Sequence, residues 1–248
     1  NTSEGAPESL KYVATRATLN MQTGEAFRMM RQYLKARPRD IDAWEEMADL
    51  AAYAGERKFM AVAGKQLFLL SNEAGAPRSR AITVSTLALD LRQAELAADD
   101  QLVRLPDNVL TQYQSHRAYI WAGKHRKARQ LLTRIRKSKL PLANRLLSEL
   151  RQACAGRNVT DARSIYARIN KEGDISARWQ AAQIVGDQKR ATALLAPLDT
   201  PDEMRRLVQY MVYPTFDMRQ YPALAQTLAA NGTRMTPPTP VPEACPAI

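Results

Sequence analysis

The sequence predicts an all-α solenoid built from antiparallel helix pairs, and three observations predict it. Alanine, leucine, arginine and glutamine dominate while valine and isoleucine are sparse and scattered, which favours helix over sheet. Residues recur at a step of 34: Ala26, Met60, Ala94, Ala128 and Ala162 form one column, Ala14, Ala48, Ile82, His116 and Leu150 a second, and Ala17, Ala51, Ser85, Tyr119 and Ala153 a third. Breakers keep the same register, since Pro38 and Pro106, like Gly55 and Gly123, lie two steps apart.

A physical reason links the columns. Two antiparallel helices of about a dozen residues cross closely only where small side chains sit between their axes, and alanine supplies them without losing helix propensity. A glycine tolerates the left-handed backbone of a helix end, and a proline stops a second helix before the next first helix begins. One such hairpin cannot bury its own apolar face, so neighbours must stack.

The units follow in order. Residues 7–40 are a degenerate first unit that Pro38 closes. DAWEEMADLAAYAGERKFMA, residues 42–61, is the clearest, with Ala48 and Met60 marking the helix crossing and Gly55 the turn. Residues 75–108 are degenerate again and end at Pro106. YQSHRAYIWAGKHRKARQLL, residues 113–132, is the second-best unit, through Tyr119, Gly123 and Ala128. A degenerate fifth unit covers residues 143–174. ARWQAAQIVGDQKRATALL, residues 177–195, keeps the spacing from Gly186 to Ala191 but arrives 29 rather than 34 residues after its predecessor.

Beyond residue 200 the text changes to a helix begun by Asp199 or Thr200, a loop around Pro214, and a short helix ending at Asn231 and Gly232. The final stretch, with Pro237, Pro238, Pro240, Pro242 and Pro246, is expected to be extended. The organisation expected is therefore repeats over 1–198, a helical cap over 199–233 and a proline-rich tail over 234–248.

With Trp44, Met47, Ala48, Ala51 and Gly55 on its columns, the pattern resembles the tetratricopeptide repeat (TPR), a 34-residue helix-turn-helix unit. The resemblance implies a right-handed superhelix whose first helices line a concave face that grips a protein partner. On that face it would place Lys11 and Thr15, then Glu45, Asp49 and Tyr53, then Ser79 and Thr83, then Tyr113, Arg117 and Trp121, and finally Leu147 and Arg151. Tyr113, Arg117 and Trp121 are four residues apart and form one stripe, of residue types that anchor interfaces. The alternative for Trp121 is a core residue packed on the next hairpin. FDMRQYPAL, followed by a proline-rich ending in ACP, is similar to the C-terminal end of some bacterial membrane-anchored TolB-like and TPR proteins.

Charge is concentrated. Between Asn108 and Thr160 twelve Lys or Arg face the single acid Glu149, which accounts for the whole formal net charge of +11. Lys124, Arg126, Lys127, Arg129, Arg134, Arg136, Lys137 and Lys139 fall mostly on a second helix, outside the groove, whereas residues 40–56 are acidic. Such a dipolar solenoid attracts a polyanion, an anionic membrane surface or an acidic partner, unless the basic run is simply a solvated helix face. Nucleic acid is disfavoured, because no arginine-rich segment interleaves with several aromatics.

Catalytic chemistry has few candidates. His116 and His125 are the only histidines, and His116 occupies a packing column. There is no HExxH, glycine-rich phosphate loop or CxxC, and the paired acids Glu45-Glu46 and Asp99-Asp100 point to different sides of a helix. Neither a metal nor a cofactor is expected. Cys154 and Cys245 are either two unrelated residues, with Cys154 in the core, or one disulfide pinning the tail along the repeats in an oxidising compartment. No apolar run approaches the ~20 residues a membrane helix needs. The chain begins at Asn1 without an initiator Met, as a processed or truncated product would.

These readings converge on a non-enzymatic scaffold of a bacterial cell-envelope system, extracytoplasmic and periplasmic, that binds a protein segment in its groove. Membrane association would come through a missing segment or a partner. The alternative is binding of an acidic polysaccharide or anionic lipid surface by the basic block 117–157, as in polysaccharide export.

Overall fold

The computed structural model describes residues 7–71, 76–233, 235–242 and 245, and its secondary structure there is helical. Six hairpins follow one another: α1 (Pro7–Leu19) with α2 (Thr23–Ala36), α3 (Ile41–Tyr53) with α4 (Arg57–Leu70), α5 (Ala76–Leu87) with α6 (Leu91–Arg104), α7 (Val109–Trp121) with α8 (His125–Lys137), α9 (Leu142–Ala155) with α10 (Val159–Glu172), and α11 (Ile175–Val185) with α12 (Gln188–Leu195). From α3 onward each first helix packs on the next one, α3 on α5, α5 on α7, α7 on α9 and α9 on α11. That stacking is a TPR-like solenoid.

The repeat columns have distinct jobs. Ala14, Ala48, Ile82, His116 and Leu150 are fully buried where the first helices cross their neighbours, and so are Ala26, Ala94, Ala128, Ala162 and Ala191 on the second helices. The third column supplies the turns. The carbonyls of Ala17, Ala51, Ser85, Tyr119, Ala153 and Ala182 each accept the backbone N–H five residues on, the bond that closes a helix through a left-handed residue. The left-handed positions are Met21, Gly55, Leu89, Gly123, Arg157 and Gly186, with φ between 55° and 76°. The degenerate units thus keep the backbone of the turn while placing a β-carbon where glycine is preferred.

N-caps secure the starts. Asp40, Asn108 and Asp174 cap first helices, and Asp90, Asn158 and Asp187 cap second helices, each accepting a backbone N–H three residues on.

The segment after residue 198 packs on Trp179, Ala182, Ala191 and Leu195 of the last hairpin and also runs along the first-helix side of the repeats, reaching α3. After a 3₁₀ turn at Ala196–Leu198 come α13 (Met204–Val208), a 3₁₀ turn at Gln209–Val212, another at Met218–Gln220, and α14 (Pro222–Ala230). Trp179 of α11 nucleates a second core, edge-on to Tyr210 and Tyr213 with ring centroids 4.9 Å apart, and Phe216 stacks on Tyr221 at 5.0 Å. Both ends of this segment meet the first repeat: Arg205 donates to the Leu19 carbonyl at 3.1 Å, and the Thr23 and Thr233 hydroxyls lie 2.5 Å apart. The chain therefore bridges its last and first hairpins across its own groove. Residues 235–242 carry no helix, and the Thr239 N–H donates to the Pro214 carbonyl at 2.7 Å.

Candidate binding faces

The concave face is divided in two by the chain itself. Over its C-terminal half lies the expected stripe of Tyr113, Arg117 and Trp121, on α7 as anticipated, but all three side chains and Arg151 are buried. Tyr213, Thr215 and Val241 cover them, leaving a cavity of about 20 Å³, room for roughly one water. They are therefore not presented to solvent: the sequence shows which helix face carries them, and residues of the C-terminal segment cover that face.

The stripe is internally organised. Arg151 lies over the Tyr113 ring at 5.6 Å and donates to Gln180 Oε1 at 3.1 Å. Burial raises the Tyr213 hydroxyl pKa, opposed by the nearby Arg117 and Arg151 charges. Arg117 Nε, Trp121 Nε1 and Trp179 Nε1 are buried donors that have no acceptor among the described residues.

Neighbouring His116 is fully buried, and its pKa is pushed down to about 3, first by burial and then by the Arg151 charge, while Gln152 pulls the other way. It is neutral at neutral pH and packs a helix crossing. Cys154 of α9 is bonded to Cys245 of the tail, 91 residues on, and the Cys245 N–H donates to the Ile184 carbonyl at 3.2 Å. Among the described residues no three His, Cys, Asp or Glu side chains converge as metal ligands would.

Over the N-terminal half the face is open. A trough of about 540 Å³ is lined by Asp42, Glu45, Glu46 and Asp49 against two cations, Lys11 and Arg80. Both cations are engaged, Lys11 with Asp40 at 3.1 Å and Arg80 with Asp49 at 2.5 Å. Beside it a hollow of about 250 Å³ is walled by Thr15, Leu19, Leu50 and Tyr53 and shares Glu46 and Asp49 with the trough. Burial raises the pKa of both Glu46 and Asp49, opposed by Lys11 and Arg80 respectively. Burial, with the Asp49 charge second, pushes Tyr53 up to about 12. Glu45, Asp49 and Tyr53 thus border one accessible surface, on the first-helix face where the sequence register put them. The register missed Arg80, which reaches in from α5, because Arg80 lies one position past the outward column of Lys11, Glu45, Ser79 and Tyr113.

The basic block lies mainly on α8, on the second-helix side away from the groove. Part of its charge is spent: Lys124 and Lys127 both pair with Glu95 and Lys127 also with Asp99, Arg134 pairs with Asp107, and Arg136 with Glu149. Arg126, Arg129, Lys137 and Lys139 are exposed and make no ion pair among the described residues.

No family model and no curated protein matches the chain. Among solved structures it is similar to PilW, described as a widely conserved type IV pilus biogenesis factor, with a TM-score of 0.51 and 14% identity over 81% of this chain and 98% of that one. At that identity the likeness establishes the helical-repeat fold.

Proposed function

We propose that this chain is a non-enzymatic interaction module of a bacterial cell-envelope system, extracytoplasmic and membrane-associated through a further segment or a partner. Its open N-terminal trough holds an extended segment of a protein partner bearing Lys or Arg. The observation that carries this reading is the division of the concave face: one half is filled by the chain's own C-terminal segment, while Glu45, Glu46, Asp49 and Tyr53 border an uncovered acidic trough beside an apolar hollow. Charge would orient the partner and Tyr53 with Leu50 would take an apolar side chain. The fold shared with PilW, a pilus biogenesis factor, supports the envelope setting.

Fluorescence anisotropy with labelled peptides identical except for Lys/Arg or Ser tests it. Basic peptides should bind at least tenfold tighter, and the half-buried Glu45 and exposed Glu46, changed together to Lys, should abolish the preference. Equal binding of both peptide sets would rule the reading out.

A second reading rests on Arg126, Arg129, Lys137 and Lys139, exposed and without an ion pair among the described residues: an anionic lipid surface or acidic polysaccharide held on the convex side. Its signature is vesicle or alginate binding that falls steeply with salt and is weakened by Lys137→Ser with Lys139→Ser but indifferent to the trough.

A further inference from the structure

The second helices carry an ordered apolar patch on the convex side. Val62 and Leu69 on α4, with Leu96 and Val103 on α6, are between 42% and 82% exposed, and among the described residues they are the large apolar side chains left exposed on second helices. Within each helix the two lie seven residues apart, two turns and about 10 Å along one face. Between the helices they lie 34 residues apart, the repeat step, so Val62 matches Leu96 and Leu69 matches Val103. Since α4 and α6 are neighbours, the four side chains form one patch. Single exposed leucines are ordinary surface, but four apolar residues held in register on adjacent helices mark a contact face.

The charge around this patch has one sign. Its two columns run on into cations, Arg28 and Lys35 on α2 and Lys137 on α8, and one turn earlier Lys58, Arg92 and Arg126 make a third column. All six are exposed and make no ion pair among the described residues. Acids do not offset them. Helices α4 and α8 contain none, and those of α6 are all engaged, Glu95 by Lys124 and Lys127, Asp99 by Lys127, and Asp100 by Arg78 and Arg104. Glu25, in the first turn of α2, is the remaining acid on these four helices.

This combination separates the ligands that suit the convex side. An acidic polysaccharide answers the cations but offers no apolar phase for Val103, the most exposed of the four at 82%. A second copy docked two-fold through the patch would set cations against cations, because an isologous interface meets itself. An anionic bilayer surface satisfies both parts, taking aliphatic side chains at the headgroup boundary while its phosphates meet the surrounding lysines and arginines. We propose that Val62, Leu69, Leu96 and Val103, ringed by Lys58, Arg92 and their neighbouring cations, are a membrane-docking face that seats the solenoid on an anionic lipid surface with its groove turned away. The proposal rests on the second reading above and narrows it from polyanions in general to a lipid surface.

Cosedimentation with phosphatidylcholine vesicles, with and without phosphatidylglycerol, tests it, with alginate as the parallel probe. The native chain should partition onto the phosphatidylglycerol vesicles and not the neutral ones. Changing Val62, Leu69, Leu96 and Val103 together to Gln, in a chain shown to be folded by circular dichroism, should weaken that partitioning at least about tenfold and leave alginate retention unchanged. Lys58→Gln and Arg92→Gln should each weaken it about fivefold. Because both native cysteines are bonded to each other, Leu96→Cys can carry a polarity-sensitive fluorophore, whose emission should shift to the blue on vesicles. The same label at Leu110→Cys, on first helix α7, should not shift. Vesicle binding unaffected by the four Gln changes would overturn the proposal while leaving polyanion binding standing, and so would a dimer in sedimentation that those changes dissolve. Retention on neither vesicles nor alginate would remove both.

Discussion

The Arg57 guanidinium at the start of α4 donates to the Tyr213 carbonyl at 2.8 Å across 156 residues of sequence. The same group reaches the carbonyls of Val212 at 3.0 Å, Met211 at 3.2 Å and Leu87 at 3.4 Å. No carboxylate shares it among the described residues, and burial lowers its pKa to about 10, leaving it charged at neutral pH. One cation in the second repeat thus gathers the backbone of the segment that fills the groove. Hydrogen bonds to a charged group contribute more than neutral ones, and the carbonyls would be stranded without it. Arg57→Leu should cost about 3 kcal/mol in urea unfolding. Arg57→Lys, which lacks the planar fork, should recover only part of that.

His116 makes the protein acid-sensitive in a defined window. Its folded pKa of about 3 lies below the ~6.5 of an unfolded histidine, so the unfolded chain binds the proton first. The stability this contributes is fully present above the unfolded value and is lost as pH falls from about 6.5 towards 3, at up to about 1.4 kcal/mol per unit. His116→Leu should flatten the dependence in that window. Denaturation midpoints measured from pH 7 to pH 4 check it.

The turns offer a stabilising change. Arg157 is exposed and holds φ 55°, where a β-carbon costs about 1 kcal/mol relative to glycine. Arg157→Gly should raise the urea midpoint by a corresponding amount, and Gly123→Ala, at φ 70°, should lower it by a similar one.

The turn positions also show what the sequence discloses and what it conceals. Met21, Leu89 and Arg157 stand at the same 34-residue register as Gly55 and Gly123, so a search for glycine sees two strong units where the backbone makes five in register. The alanine columns carried the fold because close helix crossings admit few residue types. The exposed half of the site was legible for the same reason: register alone places Glu45, Asp49 and Tyr53 on one face. What lay beyond reach was the cover. Nothing local in Tyr213 or Val241 says which surface they will bury, since that depends on a chain reversal spanning more than 90 residues, and so the Tyr113–Trp121 stripe read as open.

Binding at the trough should depend on pH through Glu46 and Asp49. Burial raises both pKa values, so these carboxylates take up protons before ordinary ones as pH falls. A basic peptide needs them ionised and should therefore lose affinity in mildly acid solution, releasing protons when it binds near their pKa values. Isothermal titration in two buffers of different ionisation enthalpy checks both signs.

The most direct test of the account is a map of where a basic extended peptide lands on the isotope-labelled, oxidised chain. The account predicts amide chemical-shift changes confined to α1, α3 and the start of α5, centred on Glu45, Asp49 and Tyr53, with α7 and α9 silent beneath their cover. Changes centred on α7 and α9, or none at all, would contradict it.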